Sequence, residues 1–134
     1  MSGKGTFQPD SDVHITYEDQ QRINKFARLN AKWEDLKEEI KSKENDLKNL
    51  EDACDEIALF DDDEKIPYLV GEVFIYQNKE TTDQCLEEAK KNTENEISDV
   101  KSQIGKLRDM MDELRSHLYG KFGSHINLEA DDDE

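Results

Sequence analysis

Ile66-Pro67-Tyr68-Leu69-Val70-Gly71-Glu72-Val73-Phe74-Ile75 is the stretch of this 134-residue sequence whose apolar residues run together instead of recurring at helical spacing. It reads as a tight β-hairpin at about 66–76. Ile66 to Val70 form a first strand, Gly71-Glu72 a two-residue turn with glycine in the position a type II′ turn prefers, and Val73 to Tyr76 the return strand. That turn sets Val70 opposite Val73, Leu69 opposite Phe74 and Tyr68 opposite Ile75. Side chains alternate between faces along a strand, so both faces of the ribbon carry large apolar groups. An isolated two-stranded hairpin is marginal in water, and one apolar on both sides requires a cover.

Outward from the hairpin, the apolar residues fall into two long seams. On the N-terminal side Phe26, Leu29, Trp33, Leu36, Ile40, Lys43, Leu47, Leu50, Cys54 and Ile57 step by three and four, with Lys43 the polar exception. On the C-terminal side Leu86, Lys90, Thr93, Ile97, Val100, Ile104, Leu107, Met111, Leu114 and Leu118 do the same, with Lys90 and Thr93 polar. Seams sustained over this many heptads, flanked by Glu, Lys and Asp, predict coiled-coil helices. Thr16 followed by Asp19 supplies a helix-start signal, and a helix over 16–59 would be roughly 65 Å long at about 1.5 Å per residue. Asn78 and Thr81 are alternative caps for the second helix. Gly105 should weaken that helix, and Gly120 and Gly123 mark its end.

The expected fold class is therefore mainly α: a long antiparallel two-helix coiled coil with one β-hairpin inserted between the helices. Residues 1–12 read as a disordered tail, 13–128 as the coiled coil with its hairpin, and 129–134 as an acidic disordered tail. Reflection of one seam onto the other pairs Phe26 with Leu118, Trp33 with Met111, Ile40 with Ile104, Leu47 with Ile97 and Cys54 with Lys90. The helices spend their apolar stripes on each other, so the hairpin's cover is expected from other subunits, edge to edge in a shared sheet or barrel. Val13, Ile15, Tyr17, Ile23, Tyr119, Phe122, Ile126 and Leu128 are apolar residues at the opposite end. Either they fold over that end as a plug or they present apolar surface to a client.

Composition narrows the function. Only 34% of the residues are hydrophobic, 39% are charged and the net charge is −16. There is no basic stripe for phosphates, so neither nucleic acid nor an anionic membrane is an expected partner. No apolar run approaches the ~18 residues of a membrane span, residues 1–12 carry no signal-peptide core, and the cytoplasm is the expected location. Cys54 and Cys85 lack disulfide-framework or metal-ligand spacing and read as reduced thiols. Asp61-Asp62-Asp63-Glu64 lacks the spacing and glycine of an EF-hand and reads as a solvated loop. His14, His117 and His125 have no nucleophile arranged beside them, and there is no glycine-rich phosphate loop. The expectation is a non-enzyme without cofactor or metal.

Helix, single hairpin, helix, with Tyr68-x-x-Gly71-x-x-Phe74-Ile75 in the hairpin, is similar to the β-type subunits of prefoldin. YEDQQRINKFAR (17–28), NLEDACDEI (49–57), the acidic run before Ile66-Pro67-Tyr68, and KFGSHINLEADDDE (121–134) resemble a eukaryotic branch of that family. The resemblance implies a subunit of a heterohexamer of α-type and β-type chains, with a double β-barrel platform and six projecting coiled coils. It implies capture of unfolded clients, notably nascent actin and tubulin, at the coiled-coil tips. Delivery would be to the cytosolic group II chaperonin, without ATP. Carried onto this sequence, Ile66, Tyr68, Leu69, Val70, Gly71, Val73, Phe74 and Ile75 would be assembly residues. Ile23, Phe26, Leu118, Tyr119 and Phe122 would lie at the client-facing tip, where Phe26 and Leu118 equally suit a plain core role. The alternative is a structural coiled-coil spacer or tether in another multisubunit assembly.

Overall fold

The computed structural model of the chain describes residues 6–7 and 14–128. In chain order these form β1 (Thr6–Phe7), α1 (Tyr17–Ile57), β2 (Ile66–Val70), β3 (Val73–Gln77), α2 (Lys79–Phe122), a 3₁₀ turn (Gly123–His125) and β4 (Ile126–Asn127). Two long helices with an antiparallel hairpin between them are the expected architecture. Thr6 and Phe7 depart from it, because they pair with Asn127 and Ile126 as a small antiparallel sheet. A strand edge at β4 offers backbone partners that the tail's own side chains could not announce. The remainder of the expected tails, residues 1–12 and 129–134, lies outside the described residues.

Local chemistry sets the helix boundaries. The Asp19 N–H donates to Thr16 Oγ1 at 3.1 Å, which makes Thr16 the cap of α1. At α2 the choice of cap falls to Asn78, whose Oδ1 accepts from the Thr81 N–H at 2.8 Å. Gly123, at φ +57°, reverses the chain just past α2 in a conformation other residues rarely adopt. Lys79 closes the end of α1 from outside, its ammonium donating to the carbonyls of Ala58 at 3.4 Å and Phe60 at 3.1 Å.

The chain divides into a terminal unit, residues 1–38 with 101–134, and a hairpin unit, residues 39–100. In the terminal unit Ile23, Phe26, Trp33 and Leu36 of α1 are buried with Leu107, Met111, Leu118 and Phe122 of α2. Lys37 and Arg108 stand over the Trp33 ring, 4.3 and 5.7 Å from its centroid. The predicted seam is displaced at one position: Asn30 is buried and Leu29 only half-buried. Asn30 Oδ1 and Trp33 Nε1 have no hydrogen-bond partner among the described residues. A buried Asn in a coiled-coil seam costs stability and favours one register over its neighbours.

In the hairpin unit Ile57, Ile66 and Leu86 form the core, with Leu50, Ala53, Cys54, Phe60 and Tyr68 packed against it. The polar seam residues are satisfied locally. Lys43 Nζ reaches Glu96 at 3.0 Å, and the Thr93 hydroxyl donates to the Ala89 carbonyl at 2.9 Å. Cys54 and Cys85 are free, half-buried thiols, and burial pushes the Cys54 thiol up, out of the reactive range. The acidic loop closes as a turn, with Glu64 Oε1 accepting from the Asp61 N–H at 2.6 Å.

Three contacts across the helices come from residues that flank the seam. Phe26 meets Arg115 and Trp33 meets Arg108 in the terminal unit, and Cys54 meets Glu87 at 3.8 Å in the hairpin unit. Each α2 partner lies three positions nearer the hairpin than Leu118, Met111 and Lys90, the residues reflection assigns. Residues three apart share a helix face, so these reaches by long side chains are compatible with the seam pairing that reflection gives.

Gly105 sits in α2 with open space where a side chain would begin. Gly105→Ala is expected to stabilise the terminal unit by about 0.5–1 kcal/mol, seen as a higher thermal midpoint with unchanged helix content.

Candidate assembly and client-binding surfaces

The hairpin has the expected register, Tyr68 with Ile75, Leu69 with Phe74 and Val70 with Val73. Gly71 carries φ +64° while no described non-glycine residue has positive φ, which is the type II′ pattern with glycine first. The two faces are unequal. One carries Leu69, Phe74 and Tyr76, all more than half exposed. The other grades from Ile66, buried in the chain's own core, through half-buried Tyr68, to exposed Val70 and Val73. Ile66 and Tyr68 lie at the stem of the hairpin, where the ends of α1 and α2 cover them. An open, intersubunit role for Ile66 is therefore corrected to an intrachain one. Leu69, Val70, Val73, Phe74 and Ile75 remain uncovered, with Gly71 at the turn. Tyr76, 70% exposed, stands uncovered on the same face as Leu69 and Phe74 and is absent from the expected assembly set. Strand alternation from Phe74 was the signal for it.

The family model described as prefoldin subunit matches residues 20–125. The chain belongs to the prefoldin subunit family. It is 52% identical over 126 residues to the probable prefoldin subunit 4 of Drosophila melanogaster, covering 94% of this chain and 91% of that one. It is also 52% identical to prefoldin subunit 4 of Homo sapiens, covering 90% and 91% of the two chains. The crystal structure of the prefoldin beta subunit from Thermococcus strain KS-1 shares the fold, with a TM-score of 0.72 at 19% identity, over 80% of this chain and 94% of that one. Prefoldin subunits are chaperones, not enzymes. No helix among the described residues is long and apolar enough to cross a membrane.

In the terminal unit the residues expected at the client-facing tip are covered by the chain itself. Ile23, Phe26, Leu118 and Phe122 are buried, and Tyr119 is half-buried with its hydroxyl occupied. The chain turns back at Gly123 and buries Ile126 and Leu128, while Tyr17 stays exposed. Tyr119 Oη accepts from the Leu128 N–H at 2.8 Å, and Arg115 Nε donates to the Leu128 carbonyl at 3.3 Å. Both backbone groups of a fully buried residue are thus satisfied by side chains one turn apart on α2.

Asp19, which the sequence reading used only as a helix-start signal, joins the two helices in this unit. Its side chain is 1% exposed and pairs with Arg22 at 3.0 Å and with Lys121, and His117 Nε2 stands 3.9 Å away. Burial pushes its carboxyl up, but hydrogen bonds from Lys121 and Thr16 and the Lys121 charge outweigh burial and hold it below the usual carboxylate range. A carboxyl lowered by folding contributes stability that is complete above the unfolded value of about 3.9 and is lost as pH falls through the folded value. Asp19→Asn should therefore lower the thermal midpoint at pH 7, with the gap from wild type closing below about pH 4. The effect should be on the order of 1 kcal/mol, because Arg22 and Lys121 are more than a third exposed and solvent screens them. A gap that persists unchanged at pH 2.5 would show that the ion pairs are not its source.

Proposed function

We propose that this chain assembles through its hairpin with α-type and β-type prefoldin subunits into a heterohexameric, ATP-independent holding chaperone of the cytoplasm. The complex captures unfolded proteins such as nascent actin and tubulin and passes them to the cytosolic group II chaperonin. One observation supports the assembly step above the rest: an apolar ribbon, Leu69 to Tyr76, stands uncovered on a chain whose helices are already paired. A soluble protein with −16 net charge has no reason to expose such a ribbon unless another chain covers it.

A second reading is favoured by a specific observation. Burial of Ile23, Phe26, Leu118 and Phe122 suits a spacer or tether that holds no client at this end. Aggregation of chemically denatured actin separates the two. The complex assembled with this chain should suppress aggregation, and chains cut to the hairpin unit, residues 39–100, should assemble yet suppress it less. Full suppression by the truncated complex would favour the spacer.

A further inference from the structure

The segment that closes the terminal unit has the chemistry of a bound peptide. Ile126–Asn127 form a strand that leads into Leu128, with Ile126 and Leu128 buried and Asn127 exposed between them. Alternate apolar side chains enter the core while the Leu128 backbone is held at both its N–H and its carbonyl. Pockets for alternate side chains combined with main-chain hydrogen bonds are the means by which folded domains capture extended polypeptides. Arg115 serves the strap and the core together, since its guanidinium lies 5.4 Å from the Phe26 ring while its Nε holds Leu128. On its outer side the strap pairs with β1 over Thr6 and Phe7.

We propose that residues 123–128 are a tethered self-ligand, seated where an extended apolar segment of an unfolded protein binds, so that client capture and strap release are the same event. This rests on the client-capture reading above. The strap resolves the conflict between a tip that must bind apolar chain and a tip whose apolar residues are buried. Phe26, Leu118 and Phe122 stay out of water until a client supplies the apolar contacts that the strap relinquishes. Because the strap is covalently attached, it competes at a high effective concentration, and weakly apolar chains fail to displace it.

The test uses the full chain in the assembled complex, with a photo-crosslinking phenylalanine at Tyr17, an exposed residue of the same unit, and denatured actin as probe. Thr6 and Asn127 are direct partners in the small sheet, and antiparallel partners stand about 4.5–5.5 Å apart at Cα, within disulfide reach. Thr6→Cys with Asn127→Cys should crosslink actin when reduced and lose at least about fivefold in yield when oxidised. Leu128→Asp, which places an acid in a fully buried position, should unseat the strap and raise the yield. Equal yields from the oxidised and reduced staple, or an unchanged yield with Leu128→Asp, would overturn the self-ligand while leaving capture standing. No crosslink from any form of an intact complex would instead remove this tip from client capture altogether.

Discussion

With Leu69→Ser and Phe74→Ser together, helix content is expected to stay at the wild-type level while association with partner subunits weakens by roughly a hundredfold to ten-thousandfold. The two residues are cross-strand partners on the outward face of the hairpin, 54% and 61% exposed. Nothing in the chain's own core depends on them. Covering a Leu and a Phe in an interface is worth about 1.5–3 kcal/mol each, which sets that range. Far-ultraviolet circular dichroism reads the helices, and co-purification with tagged partner subunits reads assembly. The companion change Ile66→Ala should behave in the opposite way, since Ile66 packs with Ile57 and Leu86. It should cost stability of about 2–5 kcal/mol while leaving the outward face in place. Wholesale helix loss in the double Ser variant would mean that the hairpin is an internal core element, and the assembly proposal would fail.

Phe26→Ala is expected to destabilise the terminal unit by about 3–5 kcal/mol, the usual cost of removing a fully buried aromatic side chain. Phe26 has no exposed surface, and its ring also carries the Arg115 guanidinium that holds the strap. The loss should therefore appear in two places at once: faster hydrogen exchange along the first turns of α1 and faster exchange of the Leu128 N–H. An open client contact would behave differently, because truncating an exposed side chain changes stability by no more than about 0.5 kcal/mol. A Phe26→Ala chain with wild-type exchange rates and impaired holding would restore Phe26 as a surface residue of the resting state.

Much of the fold is written in spacing. Heptad steps and the Gly71-Glu72 turn anticipate both helices and the hairpin register, because a two-residue turn leaves only one strand pairing in which both strands close. Buried polar residues are less legible. Asp19, Asn30 and Thr82 lie inside, and each departs from the rule that inward positions are apolar. Asp19 is accepted because Arg22 and Lys121 pair with it, and Thr82 because its hydroxyl donates to the Asn78 carbonyl at 2.9 Å. Arg22 and Asn78 are local partners, three and four residues away, but Lys121 lies 102 residues from Asp19, and that contact comes from geometry that spacing does not carry.

By itself, then, the sequence determined the two helices, the turn between the strands, the side chains each strand turns to each face, and the family. These are consequences of local stereochemistry and of periodicities that repeat along one chain. Tertiary structure decided the contacts that flank the seam, the covering of Ile66, and the closing of the terminal unit by Ile126 and Leu128. Which long side chains reach across a seam is set by rotamers and neighbours that apolar spacing does not encode. Whether an apolar end stays open also depends on a segment only six residues long, whose burial is set by contacts across the fold.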